Sequence, residues 1–249
     1  MAIPQHPTRR PGLAVQPDGD VPGSFVLRDQ LHVSPTPLSI SRFELEMLER
    51  MTGRLNMSEL ILAAAQADGG VPMPTADATA FVARLDEGLY LDSPRLDDYL
   101  AGPVREPAHI GCYPGDPVEL RTMFADLFTM PGGPGHPGSV PKHNQLRGAL
   151  VPHIDYGRGD LSYVYGFKEI FERTTASLFV VIATAHYSAA RFTLTRKNFK
   201  SPLGIVPTDQ PYIDRLVKHY GDGLFDDPYA HFPEHSIELE LVMLQYLYE

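Results

Sequence analysis

The sequence has little cysteine, no tryptophan and no long apolar run. Cys112 is the only cysteine among 249 residues, which excludes an internal disulfide and a cysteine-rich zinc knuckle. Residues 1–20 lack the apolar core of a signal peptide. The most apolar run, residues 177–185, is far too short to cross a bilayer. We therefore expect a soluble, cytoplasmic protein with no membrane partner.

Positive charge is also scarce. Lysine and arginine number 21 against 31 aspartates and glutamates, which gives a formal net charge of −10. Phosphate binding needs clustered basic side chains, so the balance argues against nucleic acid as the main partner. The chain also lacks the Gly-Xaa-Ser-Xaa-Gly elbow of serine hydrolases and a glycine-rich phosphate loop after a strand.

Residues 1–103 are predicted to form a small N-terminal module. Residues 24–34 have the β-branched and aromatic content of a strand or hairpin arm. Three helices are expected, with Ser41 opening a capping box on the first and with Ser58 and Thr75 capping the second and third. A strand over 88–94 is expected to close the module. Three helices followed by a strand predict a mainly helical, winged-helix-like module. Because its helices are too acidic for DNA recognition, a packing or docking role is favoured.

Residues 104–249 are predicted to form an α/β domain with a largely parallel sheet flanked by helices. Asp116 is placed to cap the first helix, Asp160 the second and Asp209 the third. Continuous apolar stretches at 147–153 and 177–186 predict buried strands that alternate with these helices.

Histidines follow both of these predicted strands. His153 ends the first and His186 ends the second, while His235 precedes the last predicted helix. Ligands of parallel sheets bind at the carboxyl ends of the strands, so we expect these imidazoles to converge. Two or three convergent histidines with a carboxylate are typical of catalytic zinc or non-heme iron.

The pattern alone leaves two interpretations open. A single histidine is more often structural than a metal ligand, whereas two at equivalent strand ends favour a metal or catalytic site. Asp155, Glu234 and Glu238 are the nearby carboxylates. His231 is predicted to act as an acid–base group near neutral pH or to support a ligand.

Several motifs resemble one family in order and spacing. The stretches are "HIGCYPGDPVELR", "LVPHIDYGRGDLSYVYGF", "ATAHYSAARFTLTRKNFKSPLGIVPTD" and "AHFPEHSIELELVMLQYL". Together they resemble the Memo family, which shares its fold with the class III extradiol dioxygenases, and they span roughly residues 107–249. Among bacterial members of the family, these motifs are similar to those of the B protein of the AmmeMemoRadiSam system. The N-terminal module is similar to a winged-helix or PqqD-like extension.

The resemblance implies a role for each matching residue. His153, His186 and His235 are implied as metal ligands, with Fe(II) as the expected ion and copper or zinc as alternatives. His235 and His231 are implied as catalytic acid–base residues. The substrate-binding candidates are Asp155, Tyr156, Tyr187 and Glu234, although both tyrosines are equally well interpreted as partly buried structural residues.

The implied activity is metal-dependent oxidoreductase chemistry of the dioxygenase type on a small aromatic substrate. The alternative is a non-catalytic protein that binds a peptide or protein partner, such as a radical-SAM protein, through the same pocket. Two departures from the family pattern, "ATAHYS" and "PHIDYG", place different groups beside the site. We also expect the α/β domain to be C-terminally incomplete at Glu249, without the family's C-terminal ligand segment.

Overall fold

A computed structural model describes residues 4–34, 36–138 and 146–248. The chain forms two compact units, Met1–Gly102 and Pro103–Glu249. They are called unit 1 and unit 2. The sequence-based boundary lies between residues 103 and 104.

Unit 1 combines a small antiparallel sheet with four helices. The sheet has the order β1-β2-β3, and Val15 pairs with Leu27 while Phe25 pairs with Ile40. Buried apolar side chains from the sheet and from the helices form one core, which includes Leu27, Met47 and Phe81. The elements are β1 (Leu13–Pro17), β2 (Ser24–Asp29), β3 (Leu38–Ser41), α1 (Arg42–Arg50), α2 (Met57–Ala67), α3 (Thr75–Glu87) and α4 (Pro94–Ala101).

The predicted start of the first helix is confirmed, and two other starts are wrong by one or two residues. Ser41 caps α1 in the capping box predicted for it. The cap of α2 is Asn56 rather than Ser58, because the Asn56 side chain accepts a hydrogen bond from the backbone N–H of Glu59. Thr75 is the first residue of α3 and follows Pro74.

The predicted strand over 88–94 is also wrong. Only an isolated bridge between Arg9 and Leu91 lies there, and α4 begins at Pro94. The sheet of unit 1 therefore precedes its helices in the chain, and the winged-helix-like topology is not confirmed.

In the residues that the structure describes, unit 2 is a mixed α/β unit with one small sheet. Parallel pairing joins β4 to β5, and antiparallel pairing joins β5 to β6. Its core packs α5, α6 and α8 together through side chains such as Phe124, Tyr163 and Leu239. No helix in the described ranges is long and apolar enough to span a membrane. The elements are β4 (Val104–Arg105), α5 (Pro117–Thr129), α6 (Tyr156–Arg173), β5 (Asn198–Ser201), β6 (Gly204–Val206), α7 (Gln210–Tyr220), a 3-10 turn (Asp222–Phe225) and α8 (His235–Tyr248).

Helix caps in unit 2 are mostly where the sequence predicts them. Asp116 caps α5, with Pro117 in the first turn, and Asp209 caps α7. The prediction of Asp160 as the cap of the next helix is wrong, because α6 begins one turn earlier. Asp155 caps it by accepting a hydrogen bond from the backbone N–H of Arg158.

The two predicted buried strands do not form in the described residues. Residues 147–153 and 177–186 carry neither helix nor strand. Their apolar side chains are exposed to a large degree, with Leu150 fully exposed and Ile182 81% exposed. An apolar run becomes a buried strand only when neighbouring strands pair with its backbone and cover its faces. The largely parallel sheet therefore remains a prediction.

Candidate metal centre

Three imidazole rings lie together in unit 2. His153, His186 and His235 each place one ring nitrogen within 4.8 Å of the others. The ring centroids are 4.5 Å apart for His186 and His235, 5.3 Å for His153 and His186, and 5.6 Å for His153 and His235. In the part of the chain that the structure describes, no other set of three potential ligand side chains meets this spacing.

Each histidine reaches the cluster from a different part of the chain. His153 lies two residues before Asp155, the cap of α6. His235 is the first residue of α8. His186 lies in a segment without regular structure, and contacts with Glu234 hold it in place. The sequence therefore indicates the correct three residues for the cluster, although no strand ends bring them together.

Glu234 orients His186 through both oxygens of its carboxylate. Oε2 accepts the backbone N–H of His186 at 2.8 Å, and Oε1 lies 2.9 Å from His186 Nδ1. Oε1 also accepts the backbone N–H of Ser236 at 3.0 Å. A carboxylate accepts and does not donate, so Nδ1 of His186 is the donor in this contact and Nε2 is the ring nitrogen left for a ligand.

The Glu234 carboxylate stays ionised in its buried position. Burial acts to raise its pKa, but the hydrogen bonds from the backbone N–H groups of His186 and Ser236 outweigh burial and bring the pKa to about 2. Both oxygens of Glu234 are thus used in contacts with His186 and Ser236, which favours a supporting role over the predicted substrate-binding role.

The surroundings of His235 favour its neutral imidazole form. Burial and the neighbouring His186 both lower the pKa of His235, which disfavours the imidazolium form. Neutral imidazole is the form that binds a metal ion. Solvent reaches the rings, because the His186 and His235 side chains are 35% and 28% exposed.

A buried arginine fixes the loop that leads into α8. Arg105, in β4, is fully buried. Its Nε donates to the backbone oxygen of His231 at 3.0 Å, and its Nη2 donates to those of Phe232 at 2.8 Å and Glu234 at 3.0 Å. Its Nη1 forms an ion pair with the carboxylate of Glu238. The guanidinium therefore sets the path of the backbone immediately before His235.

Glu238 connects this arginine to a fourth histidine. Its carboxylate accepts the backbone N–H of His109 at 3.0 Å and lies 3.0 Å from His109 Nδ1. The hydroxyl of Tyr113 also donates to it. Burial acts to raise the pKa of Glu238, but the contacts with His109, Arg105 and Tyr113 prevail and bring it to about 2. The ring of His109 lies 5.6 Å from that of His235.

The sequence does not predict the second group of residues, which consists of Arg105, His109, Tyr113 and Glu238. Glu238 is noted only as a nearby carboxylate, and His109 and Tyr113 only as parts of the motif "HIGCYPGD". Arg105 lies directly after the predicted boundary between residues 103 and 104. Nothing in the sequence showed which carboxylate they share.

His231 lies apart from the cluster of three. Its Nε2 is 3.2 Å from the hydroxyl of Thr193, and its Nδ1 has no hydrogen-bond partner within the described ranges. Burial, with a smaller effect of Arg105, lowers the pKa of His231 to about 4. The residue lines a mainly apolar cavity of about 650 Å³ together with Leu194 and Ile213. These surroundings do not favour the acid–base role predicted for it.

The other three residues predicted to bind substrate have different surroundings in the structure. Tyr156 is 1% exposed and donates its hydroxyl to the backbone oxygen of Leu239, which favours the structural interpretation. Tyr187 is 43% exposed, with its ring centroid 6.4 Å from that of His186. Asp155 caps α6 and forms an ion pair with Arg158, and this contact lowers the pKa of its carboxyl. Of the three, Tyr187 is placed best to contact a ligand.

Comparison with known proteins shows the family to which the chain belongs. The model of the Memo-like protein family matches residues 105–249. This range begins at the buried Arg105 and contains all of the histidines described above. The chain therefore belongs to the Memo-like protein family.

Individual relatives give the same result. A MEMO1 family protein from Methanopyrus kandleri is 35% identical over 151 residues, which cover 58% of this chain and 52% of the relative. One from Aquifex aeolicus is 26% identical over 246 residues, 94% of this chain and 61% of the relative. This second alignment extends over unit 1. The chain thus spans about half to three-fifths of the length of these relatives. No solved structure matches the chain significantly.

Proposed function

We propose that unit 2 binds one divalent metal ion through His153, His186 and His235. The observation that carries this proposal is the convergence of three imidazole nitrogens within 4.8 Å at a place that solvent reaches. The Glu234 carboxylate behind His186 supports it, because ligating histidines usually donate their second ring N–H to a carboxylate or carbonyl.

The donor set fits the metals that the family resemblance implies. Three imidazoles suit zinc, copper and iron, whereas calcium and magnesium prefer oxygen ligands. Three protein ligands with a solvent-accessible side match a catalytic rather than a structural site, since structural zinc sites are usually closed by four protein ligands. Fe(II) is the ion we expect, with copper and zinc as alternatives.

The proposed chemistry is of the dioxygenase type, in which O₂ would be the oxidant and both of its atoms would be added to a small aromatic substrate. A bound Fe(II) would supply redox capacity and open coordination positions. The chain's own residues would orient the metal ligands and contact the incoming molecule. Glu234 holds His186 with its Nε2 lone pair available, Arg105 fixes the loop before His235, and Tyr187 offers a hydroxyl to an incoming ligand. His231 is left out, because its ring lies against Thr193 and not at the cluster.

The finer fold prediction belongs to the same proposal. In a largely parallel sheet, residues 147–153 and 177–186 would be strands that end at His153 and His186. The exposed side chains of Leu150, Val180 and Ile182 support this, since they are the surfaces that neighbouring strands would cover.

Metal content tests the proposal. Protein purified without oxygen is analysed by mass spectrometry for iron, copper and zinc, as the unaltered chain and as His153→Ala, His186→Ala and His235→Ala. His219→Ala, which changes an exposed histidine of α7, is the matched control. We expect near-stoichiometric metal in the unaltered chain and the control and its loss in the other three. Negligible metal throughout, or equal metal in all five proteins, would refute the metal centre.

The competing function is a non-catalytic interaction protein that binds a peptide or a protein such as a radical-SAM enzyme. The apolar cavity of about 650 Å³ favours it, because Phe179, Leu194 and Leu241 offer a surface for apolar side chains. Binding of this kind would not depend on His153 or His186. A chain that lacks metal but retains a partner would therefore support this second function.

A further inference from the structure

Helix α8 has a second apolar face that lies outside the core of unit 2. One face packs in that core through side chains such as Leu239 and Met243. Another face carries Ile237, Leu241 and Tyr248, which line the cavity of about 650 Å³. A helix that is apolar on several sides is usually buried on all of them. The second face of α8 therefore indicates that a further layer packs against it.

Another wall of the cavity is a stretch of backbone without hydrogen bonds. Residues 177–181 line the cavity and carry neither helix nor strand. In the described ranges, no backbone N–H or C=O group of these five residues has a hydrogen-bond partner. The side chains of Leu178 and Val180 are exposed. Those of Phe179 and Val181, which alternate with them, are half-buried. Alternating side chains on an unpaired backbone are typical of a sheet edge, which can accept another strand.

The charge and the length of the cavity suit a short uncharged strand. Among the described lining residues, Asp209 is the only one with a carboxylate, and that carboxylate caps α7 by accepting the backbone N–H of Tyr212 at 2.7 Å. His231 is neutral at ordinary pH, because burial lowers its pKa to about 4. From Ile237 to Tyr248 the helix wall is about 16 Å long, which matches about five residues of a strand.

The lengths of the relatives indicate the source of such a strand. The chain spans about half to three-fifths of the length of the MEMO1 family proteins from Methanopyrus kandleri and Aquifex aeolicus. Both relatives therefore have a further part, without a counterpart in these residues, that is long enough to contain several strands. A strand from that part would be the neighbour that a parallel sheet requires beside residues 177–181.

We propose that the cavity is the docking site of one strand, which belongs to the part of a Memo-like polypeptide that these 249 residues do not span. The strand is uncharged where it enters the cavity. Its backbone pairs with residues 177–181, and its apolar side chains pack on the second face of α8. The inference goes beyond the proposed metal centre and does not depend on it. It also assigns the cavity to this strand rather than to the partner of the competing function.

Binding of that part to the metal-free chain tests the inference. The probe is the part of the Methanopyrus kandleri relative outside the 151 matched residues, produced together with this chain in one cell. A synthetic peptide of alternating threonine and valine is the second probe. Val180→Lys and Ile205→Lys place a charge in the cavity at side chains that are 54% and 53% exposed, so the core is not disturbed. Val118→Lys, at an exposed residue of α5 away from the cavity, is the matched control.

We expect a complex of one chain with one probe polypeptide, measured by light scattering. In the complex, amide hydrogen exchange in residues 177–181 should be about tenfold slower or more than in the chain alone, because paired N–H groups exchange only after local opening. Val180→Lys and Ile205→Lys should each raise the Kd of the complex about tenfold or more, since a buried lysine without a partner is costly. Val118→Lys should leave the Kd unchanged. If one of the two cavity variants does not fold, the other decides.

Several results would overturn the inference. One is the absence of a complex, and another is a complex in which exchange in residues 177–181 is unchanged or both cavity variants bind as tightly as the control. A dimer of the chain alone that protects these amides would show that a second copy occupies the cavity. Equal protection by the threonine–valine peptide would show that any apolar strand fits, which favours the competing function. Because the protein is metal-free throughout, none of these results bears on the metal centre.

Discussion

Substitution of Glu234 by glutamine perturbs the proposed metal centre and leaves every histidine in the sequence. Its carboxylate accepts from the backbone N–H groups of His186 and Ser236 and lies 2.9 Å from His186 Nδ1. In Glu234→Gln, one oxygen is replaced by an NH₂ group that donates. At least one of the N–H groups around the side chain then loses its acceptor, and His186 loses the charge that fixes its orientation.

The magnitude follows from the kind of contact that is lost. Removing the carboxylate partner of a ligating histidine typically weakens metal binding about 10–100-fold, or roughly 1.4–2.8 kcal/mol. Leaving one buried donor without an acceptor costs about 1–3 kcal/mol of folding free energy. If the variant stays folded at the temperature of the assay, this loss of folding stability does not itself weaken metal binding, so a loss of affinity reports on the support that Glu234 gives to His186.

The assay is titration of the metal-free protein with Zn(II), followed by calorimetry, with thermal unfolding of the same samples. Glu169→Gln is the control, because Glu169 is an exposed carboxylate that forms an ion pair with Arg173. The control should bind Zn(II) as the unaltered chain does. A folded Glu234→Gln with an unchanged Zn(II) affinity would show that Glu234 does not support a metal ligand, and the reasoning would be wrong.

Three further predictions concern stability. Burial raises the pKa of Glu240 to about 8, against 4.5 ordinarily, and neither oxygen has a partner within the described ranges. The folded state then holds the proton more tightly than the unfolded state, so the free energy of unfolding should fall by about 1.4 kcal/mol per pH unit as the pH rises from 4.5 to 8. Glu240→Gln should remove this slope, measured by urea unfolding at several pH values. An equal slope in both proteins would contradict the prediction. Arg105→Met should cost about 3–5 kcal/mol in the same assay, because Glu238 stays buried without its cation; a loss below 1 kcal/mol would contradict the role given to this pair. Asp116→Ala should cost about 1 kcal/mol, since the Asp116 side chain caps α5, and an unchanged midpoint would contradict it.

Local signals in the sequence predict the helix starts well. A capping side chain and its backbone partner are two or three residues apart, so Ser41, Asp116 and Asp209 are identified without knowledge of the tertiary structure. The errors at Ser58 and Asp160 arise where a second capping residue lies a few positions earlier. Asn56 and Asp155 compete for the same helix starts and are the caps in the structure.

Strands were predicted less well, because their formation depends on distant partners. The apolar pattern of residues 147–153 and 177–186 indicates only that these segments are suited to burial. The described residues place no strand beside them, and side chains such as Ile182 remain exposed. By contrast, β2 forms where its β-branched and aromatic residues predict a strand, since β1 and β3 lie close to it in sequence and pair with it.

The site was predictable only in part for the same reason. His153, His186 and His235 carry motifs that can be read along the chain, and the structure brings their rings together. The Arg105–Glu238 pair joins residues 133 positions apart, and no local pattern predicts such a contact. His109 becomes visible as a neighbour of the cluster only through that pair. His231, four residues before His235 in the sequence, lies beside Thr193 instead.

The most direct test of the central claim is a count of the imidazoles on the bound metal. X-ray absorption of the Zn(II)-loaded chain reports the number of histidine ligands from the multiple scattering of their rings. We predict three for the unaltered chain and two for His235→Ala, with His219→Ala unchanged at three. A spectrum with no imidazole scattering, or the same count with and without His235, would contradict a metal centre formed by His153, His186 and His235.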